Sequence, residues 1–148
     1  MSKQHYSWDT FHSYVHEIQK QVQQKPDIIV SIGKGGSIPG VILAEHFKIN
    51  NLNLGLKSYN KQDRGSIHEY QSLPLNDSLR DMKILLVDDI ADSGETFMYS
   101  VNKLKGYFCD NIQTASVFYK PCSKYKPDCV GITVDSNIWI VQPWEQIE

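Results

Sequence analysis

A run of four apolar residues that ends in two adjacent acids limits the folds open to this chain. The run ILLV, residues 84–87, leads directly into Asp88 and Asp89, and Asp92 follows three positions later. An uninterrupted apolar run of this length is typical of a strand buried on both faces of a parallel sheet. Carboxylates at the end of such a strand are costly unless a metal ion, a proton or a hydroxyl-rich ligand compensates them. The feature predicts an α/β fold with a ligand site at one edge of the sheet.

The rest of the chain alternates short apolar runs with amphipathic segments. Apolar residues at spacings of three and four within residues 8–22 predict a first helix, with Ser7 as its N-cap. Further strands are predicted at DIIVSIG, LNLGLKSY, IQTASVFYK and CVGITV, and further helices are predicted to open at Pro39 and Glu95. Strands that alternate with helices form a parallel sheet with right-handed crossovers. We expect one α/β domain over residues 1–148.

The segment from Asn60 to Asp81 lacks this alternation. It is polar, contains Gly65 and Pro74, and shows no clean period. A stretch of this length without a period is uncommon inside a compact domain and is often functional. We expect a functional loop or a short hairpin arm.

The overall charge and the cysteine content argue against several classes of partner. The formal net charge is -2, which gives no reason to expect binding to nucleic acid or to an acidic membrane. The N-terminal segment has no apolar run long enough for a signal peptide or a membrane span. The three cysteines lack C-x-x-C spacing and therefore predict reduced thiols. We expect a cytoplasmic protein without an integral membrane segment.

A glycine-rich stretch, SIGKGGSIPG at residues 31–40, lies between a predicted strand and a predicted helix. It lacks the Gly-Lys-Ser/Thr ending of a Walker A loop, and Ile38 stands at the third glycine position of G-x-G-x-x-G. Two interpretations remain open. The glycines make only a tight turn, or their backbone binds anionic oxygen beside Lys34.

The residues after the acids add a second half to the predicted site. In DDIADSGET the acids are followed by Ser93, Gly94 and Thr96, just before a predicted helix. Backbone N–H groups and two hydroxyls at a helix N-terminus form a cradle for an anion. A phosphorylated sugar has hydroxyls for the acids and a phosphate for the cradle. An N-cap beside solvated acids would not account for two adjacent acids at the end of a buried strand.

The stretch ILLVDDIADSGET resembles the 5-phosphoribosyl 1-diphosphate (PRPP) binding motif of type I phosphoribosyltransferases. YSWDTFHSYVHEIQKQ, SIGKGGSIPGVILAEHF, SVFYKP and WIVQPWE are similar, in the same order, to the purine branch of that family and to its xanthine-guanine members above all. The resemblance implies a parallel sheet of about five strands flanked by helices, with a small hood formed from both chain ends. It also implies purine salvage, in which PRPP and a 6-oxopurine (guanine, xanthine or hypoxanthine) give the nucleoside 5'-monophosphate and pyrophosphate.

Two alternatives to this function remain open. One is the same chemistry with another base, and the other is a non-catalytic regulator that binds PRPP. The resemblance further implies Mg²⁺ as cofactor, PRPP and a free purine base as partners, and a homo-oligomer, either a dimer or a tetramer.

The resemblance implies roles for individual residues. Asp88 and Asp89 would accept hydrogen bonds from the ribose hydroxyls, and Asp89 would face the magnesium ion. Asp92 would act as general base on the purine imidazole ring. Lys34 stands where the family usually has arginine, and the family's cis peptide is expected between Lys34 and Gly35. The set implied to bind PRPP is Lys34, Gly35, Gly36, Ser58, Tyr59, Arg64, Asp88, Asp89, Ile90, Ala91, Asp92, Ser93, Gly94, Glu95 and Thr96.

A second set is implied to bind the purine together with Asp92. Lys120 would donate to the 6-oxo group, and the backbone of Ile140 would read the edge at position 2. Trp139 would stack on the base, with an ordinary core residue as the alternative. Glu145 matches an acid that lies near the base and the pyrophosphate.

Overall fold

The computed structural model describes residues 1–58, 66–74 and 77–146. Its helices are α1 (Trp8–Gln21), α2 (Gly33–Phe47) and α3 (Glu95–Gly106). Its strands are β1 (Ser2–His5), β2 (Ile28–Ile32), β3 (Asn50–Ser58), β4 (Ile67–Gln71), β5 (Ile84–Ala91), β6 (Ile112–Tyr119), β7 (Cys129–Thr133) and β8 (Ile138–Val141). Short 3-10 turns lie at Asp77–Leu79 and Pro143–Glu145. The predicted alternation of strands and helices is confirmed in the described part of the chain.

The main sheet has six strands in the order β4-β3-β2-β5-β6-β7. Five of them run parallel, as predicted, and β4 adds an antiparallel edge by pairing with β3. Strand β4 lies in the segment from Asn60 to Asp81, for which the sequence predicts a functional loop or a short hairpin arm. The strand order reverses between β2 and β5, and in open α/β sheets such a switch point places the ligand site at the carboxyl ends of the strands.

Each face of the main sheet is covered by helices. Leu85 and Val87 of β5 pack in the core cluster formed with α1 and α2, whereas Ile84 and Leu86 pack in the cluster formed with α3. The run ILLV is therefore buried on both sides, as its lack of polar alternation predicts. The α1 helix begins after Ser7, whose side chain caps it by accepting a hydrogen bond from the backbone N–H of Thr10. Within the described ranges, no helix is both long and apolar enough to cross a bilayer.

The two ends of the chain form a separate two-stranded sheet. Strands β1 and β8 pair in parallel, with Ser2 opposite Ile138 and His5 opposite Val141. The Tyr6 ring packs edge-on against Phe118 at 4.7 Å between centroids, which attaches this small sheet to the main core. We call β1, β8 and the Pro143–Glu145 turn the hood. The hood expected from both chain ends is thereby confirmed.

The α2 helix begins earlier than the sequence predicts. The sequence places Pro39 in the first turn, but the helix starts at Gly33 and contains Pro39 in its interior. Gly33 has a φ of +62°, a left-handed conformation that glycine adopts without a Cβ clash. The cis peptide expected between Lys34 and Gly35 is wrong, since the bond is trans. Both residues belong to the first helical turn, so the glycine stretch is a helix start and not an extended loop.

Candidate active site

A cleft of about 260 Å³ opens at the carboxyl ends of β2, β3 and β5, where the strand order reverses. It collects residues from the start of α2, the end of β3 and the loop between β5 and α3. The lining residues are Ile32, Gly33, Lys34, Gly35, Leu56, Ser58, Asp88, Asp89, Ile90, Asp92, Ser93, Gly94 and Thr96. Most of the set predicted to bind PRPP therefore shares one cleft. Tyr59 and Arg64, which belong to the same predicted set, lie outside the described residues.

Asp88 is the buried member of the acid pair in this cleft. Its carboxylate accepts hydrogen bonds from the backbone N–H of Asp89 at 2.8 Å and from the Thr96 hydroxyl at 3.3 Å. Burial, followed by the negative charge of Asp89, raises the pKa of Asp88 well above its usual range. The two neutral donors therefore do not compensate the charge that Asp88 carries when ionised.

Asp89 is half-buried and reaches the cleft. One carboxylate oxygen accepts the backbone N–H of Ile90 at 2.9 Å, and the other accepts the side-chain N–H of Gln142 at 3.2 Å. Burial raises the pKa of Asp89, and the charge of Glu145 raises it further. Two neighbouring carboxylates with raised pKa values form a site that a cation or hydroxyl donors would stabilise.

The loop between β5 and α3 has the geometry of an anion cradle. Gly94 has a φ of +87° and directly precedes α3, whose N-terminus has no side-chain cap. A Cβ at Gly94 would lie 2.6 Å from the backbone nitrogen of Tyr125, so the segment after β6 closes tightly on this loop. The Glu95 N–H donates to the Ser93 hydroxyl at 3.3 Å, and the remaining N–H groups of the first turn, with the Ser93 hydroxyl as a donor, are suited to hold phosphate oxygens.

The start of α2 approaches the acids from the opposite side. A Cβ at Gly35 would lie 2.6 Å from the carboxylate atoms of Asp89, and one at Gly36 would lie 2.7 Å from the carbonyl oxygen of Val87. The α2 N-terminus likewise has no side-chain cap, and the exposed Lys34 lines the cleft beside it. The glycines thus let a second helix N-terminus reach the cleft, which favours the interpretation as a site for anionic oxygen.

Lys120 and Asp92 form an ion pair next to the cleft. The Lys120 ammonium donates to a carboxylate oxygen of Asp92 at 3.4 Å, and the two side chains are 5% and 61% exposed respectively. The Cys122 thiol lies 3.7 Å from the other carboxylate oxygen. Because Lys120 is buried and Asp92 is exposed, the Asp92 carboxylate can still contact a ligand while Lys120 holds it. Sequence reasoning did not single out Cys122, because no spacing distinguishes it from a surface cysteine.

The predicted purine-binding residues of the hood do not line the 260 Å³ cleft. Trp139 is 55% exposed, so the alternative that it is a core residue is wrong. Ile140 is buried in the core cluster of the α1 face. Glu145 accepts the backbone N–H of Gln142 at 2.9 Å and so closes the Pro143–Glu145 turn. Lys120, Gly36, Ala91 and Glu95 also lie outside the lining, although each neighbours it in sequence or in space.

Gln142 is a site residue that sequence reasoning missed. It is only 1% exposed and joins the hood to Asp89. A single polar residue before Pro-Trp is typical of an exposed turn, so no pattern in the sequence indicates its burial.

The acid pair supplies the donor set for a metal. The described residues contain no cluster of three or more His, Cys, Asp or Glu side chains placed to hold a metal. Asp88 and Asp89 offer two adjacent carboxylates. Magnesium is commonly held by one or two carboxylates, with substrate phosphates and water completing its shell. The residues present fit that mode of binding and not a cage made by the protein alone.

Known proteins resemble this chain both in sequence and in structure. Residues 7–146 match the family model of the phosphoribosyl transferase domain. The xanthine-guanine phosphoribosyltransferase of Cereibacter sphaeroides is 28% identical, over 95% of this chain and 86% of that protein. The solved purine phosphoribosyltransferase of Pyrococcus horikoshii has a TM-score of 0.83 at 27% identity and covers 100% of this chain and 97% of its own. The Helicobacter pylori xanthine-guanine-hypoxanthine phosphoribosyltransferase has a TM-score of 0.80 at 28% identity, with 97% and 94% covered.

Proposed function

This chain belongs to the phosphoribosyl transferase domain family, and we propose that it transfers the 5-phosphoribosyl group of PRPP to a 6-oxopurine. The products are the nucleoside 5'-monophosphate and pyrophosphate. The observation that carries this proposal is the cleft where two adjacent carboxylates meet two uncapped helix N-termini. PRPP matches such a cleft, because it combines ribose hydroxyls with anionic phosphates. The purine acceptor is supported by the names of the similar proteins from Cereibacter, Pyrococcus and Helicobacter.

Within this proposal, each wall of the cleft binds one part of PRPP. The acid pair, Asp88 and Asp89, accepts hydrogen bonds from the ribose hydroxyls. The loop from Ala91 to Thr96 wraps the 5'-phosphate at the N-terminus of α3. Lys34 and the first turn of α2 meet the pyrophosphate, and Ser58 closes the cleft from the end of β3.

In the reaction, the bond from C1' of the ribose to the pyrophosphate oxygen breaks as a bond from C1' to a purine ring nitrogen forms. The electron pair of the breaking bond leaves with pyrophosphate. The proton of the purine imidazole ring passes to Asp92, which acts as general base. Lys120 holds that carboxylate at 3.4 Å, which orients it without covering it. Developing positive charge on the ribose is stabilised by the adjacent acids.

The cofactor that we propose is magnesium, held through Asp89 beside the pyrophosphate. When bound, magnesium would neutralise the negative charge that develops on the leaving pyrophosphate. Asp89 has the two features this role needs, a carboxylate at the cleft and a raised pKa that an adjacent cation would lower.

Selection of the base is assigned to the hood and to Lys120. The ammonium of Lys120 donates to the 6-oxo group, and a 6-amino group cannot accept that bond. Trp139, whose indole is exposed on β8, stacks on the base. The backbone of Ile140 reads the edge at position 2, and Glu145 contributes charge near the pyrophosphate.

We further propose that residues 1–148 act as one domain in a cytoplasmic homo-oligomer, either a dimer or a tetramer. The family match from residue 7 to residue 146 supports the single domain. Light scattering coupled to gel filtration measures the assembly directly.

The test is a direct assay of product. Purified protein is mixed with PRPP, magnesium and, separately, guanine, xanthine, hypoxanthine or adenine, and nucleotide is separated by chromatography. We expect nucleotide with at least one 6-oxopurine and little with adenine. Product with adenine alone would favour another base, and PRPP binding without any product would favour the regulator. The control is Asp92→Asn, which should lose far more turnover than PRPP affinity.

A further inference from the structure

Gln142 is a buried amide at the junction of the hood and the cleft. It directly follows β8 and is 1% exposed. Its backbone is fixed on both sides, because its N–H donates to the Glu145 carboxylate at 2.9 Å and its carbonyl accepts the Glu145 N–H at 3.0 Å. The side chain is therefore presented from a rigid turn.

The side-chain amide uses only one of its two polar ends within the described residues. Its N–H donates to the Asp89 carboxylate at 3.2 Å, whereas its carbonyl oxygen is buried and has no hydrogen-bond partner there. An unpaired buried acceptor is costly, and an apolar side chain of similar shape would avoid that cost. The hydrogen bond to Asp89, and not packing, therefore explains why an amide side chain stands at position 142.

Two hydrogen-bond donors from different parts of the chain hold the Asp89 carboxylate. The backbone N–H of Ile90 binds one oxygen from within β5, and Gln142 binds the other oxygen from the hood. Asp89 also lies against the first turn of α2, where the absent Cβ of Gly35 leaves room for its carboxylate. Removal of the Gln142 amide would leave the carboxylate with the Ile90 N–H and the neighbouring Asp88 side chain as partners, and would loosen its orientation.

We propose that Gln142 is a positioning residue for Asp89, and that it couples the hood to the half of the site that binds magnesium and PRPP. The proposal rests on the function proposed above. Trp139 lies three residues before Gln142 on the same short strand and turn. Gln142 thereby links the strand that carries Trp139 to the carboxylate proposed to face magnesium.

The main test compares the two glutamines that flank the Pro143–Glu145 turn of the hood. Gln142→Met keeps the length of the side chain and removes its hydrogen bond to Asp89. Gln146→Met is the control for a general effect on the turn, because the Gln146 amide donates to the Tyr6 carbonyl at 2.8 Å and to the Gln142 backbone carbonyl at 3.2 Å but does not contact Asp89. Calorimetry measures PRPP binding with and without magnesium, and steady-state assays give kcat and KM.

For Gln142→Met we expect PRPP affinity in the presence of magnesium to fall about 10- to 100-fold, the usual effect of removing a group that orients a metal ligand. Affinity without magnesium should change much less, and Gln146→Met should keep the magnesium dependence of the unaltered chain. Equal losses with and without magnesium would overturn the proposal, as would the same pattern in both variants.

A second measurement separates this proposal from the proposed function. A double-mutant cycle of Gln142→Met and Asp89→Ala, read by thermal unfolding, needs no ligand. The two shifts in melting temperature should not add, because the contact that Gln142→Met removes is already absent in the Asp89→Ala variant. Additive shifts would overturn the positioning role. Failure of the unaltered chain to bind PRPP would instead overturn the proposed function.

Discussion

Replacement of Asp88 by asparagine should stabilise the fold while it damages the site. Asp88 is 7% exposed, and among the described groups its carboxylate accepts hydrogen bonds only from the Asp89 N–H and the Thr96 hydroxyl, both neutral, while the Asp89 carboxyl lies beside it. Asparagine has nearly the same shape and keeps both contacts, since its oxygen accepts the N–H and its amide donates to the hydroxyl oxygen. The substitution therefore removes a buried charge without creating an unpaired group.

The size of the effect follows from the burial of that charge. An uncompensated polar group in a protein interior costs about 1–3 kcal/mol, and a charged group costs more. Asp88→Asn should therefore raise the free energy of unfolding at neutral pH by about 1–3 kcal/mol. For a chain of this size each kcal/mol corresponds to roughly 2–4 °C in Tm. PRPP binding should weaken in the same variant, because a charged acceptor of ribose hydroxyls is lost.

The stabilisation expected from Asp88→Asn depends on pH in a direction that follows from the raised pKa of Asp88. Burial raises the pKa of Asp88 in the folded state above its ordinary value of 3.8, so the folded state binds the proton more tightly than the unfolded chain. The stability contribution of the group is full below that ordinary value and is lost as pH rises through the folded-state pKa. The advantage of Asp88→Asn should be greatest at neutral pH and should vanish toward about pH 3.

Chemical denaturation at a series of pH values measures this profile. Asp110→Asn is the control, because Asp110 is exposed and its loss should change stability little. If Asp88→Asn were less stable than the unaltered chain at neutral pH, the carboxylate would be a stabilising group and the reasoning would fail. A gain that did not depend on pH would refute the electrostatic cause.

Three further substitutions test other parts of the structure. Gly35→Ala should keep the fold but lower PRPP affinity about tenfold or more in calorimetry, because its Cβ would lie 2.6 Å from the Asp89 carboxylate and displace it; unchanged affinity would contradict the close approach. Gly94→Ala should destabilise the protein by about 1–3 kcal/mol, since its φ is +87° and its Cβ would meet backbone at 2.6 Å, and a Tm equal to that of the unaltered chain would refute this. Glu69→Gln should lower Tm at neutral pH, and this loss should shrink as the pH falls below 4.5. Burial opposes ionisation of Glu69, but the hydrogen bonds from Ser72, Lys103 and Tyr99 outweigh it and lower the pKa of Glu69, so the stabilisation is lost as pH falls through the folded-state pKa. A loss that persisted in acid would mean that the charge of Glu69 is not what stabilises this contact.

The main sheet could be predicted because its strands are buried on both faces. Residues 84–87 and 28–32 are almost uninterrupted apolar runs, and few structures besides buried parallel strands produce such runs in a chain that alternates strands with helices. Strands β1 and β8 have no such signal, since each has four residues and β1 is exposed throughout. Residue pattern alone does not reveal their pairing, because the partners lie at opposite ends of the chain. The hood was predicted from the family resemblance instead.

The start of α2 shows where local signals mislead. Glycine and proline between residues 33 and 39 normally mark a turn, and the sequence accordingly places the helix start at Pro39. Packing overrides that preference, because Gly36 lets the helix backbone come against the Val87 carbonyl in the middle of β5. Such a contact between distant segments is not visible in the local sequence.

The same distinction applies to the site. Asp88 and Asp89 could be identified because acids at the end of a buried strand violate the usual pattern. Gln142 could not be identified, because its importance arises from a hydrogen bond to a residue 53 positions away. Its burial exists only after the hood has packed against the main sheet.

The pairing of β1 with β8 also sets an order for assembly. Ser2 lies beside Ile138, so all six strands of the main sheet lie between the two partners along the chain. Closing so long a loop is entropically unfavourable until the intervening strands and helices are already compact. During synthesis β1 therefore cannot pair until β8 has left the ribosome. The sheet that carries the acids can form earlier, but Asp89 acquires its second support only when the final strand is in place.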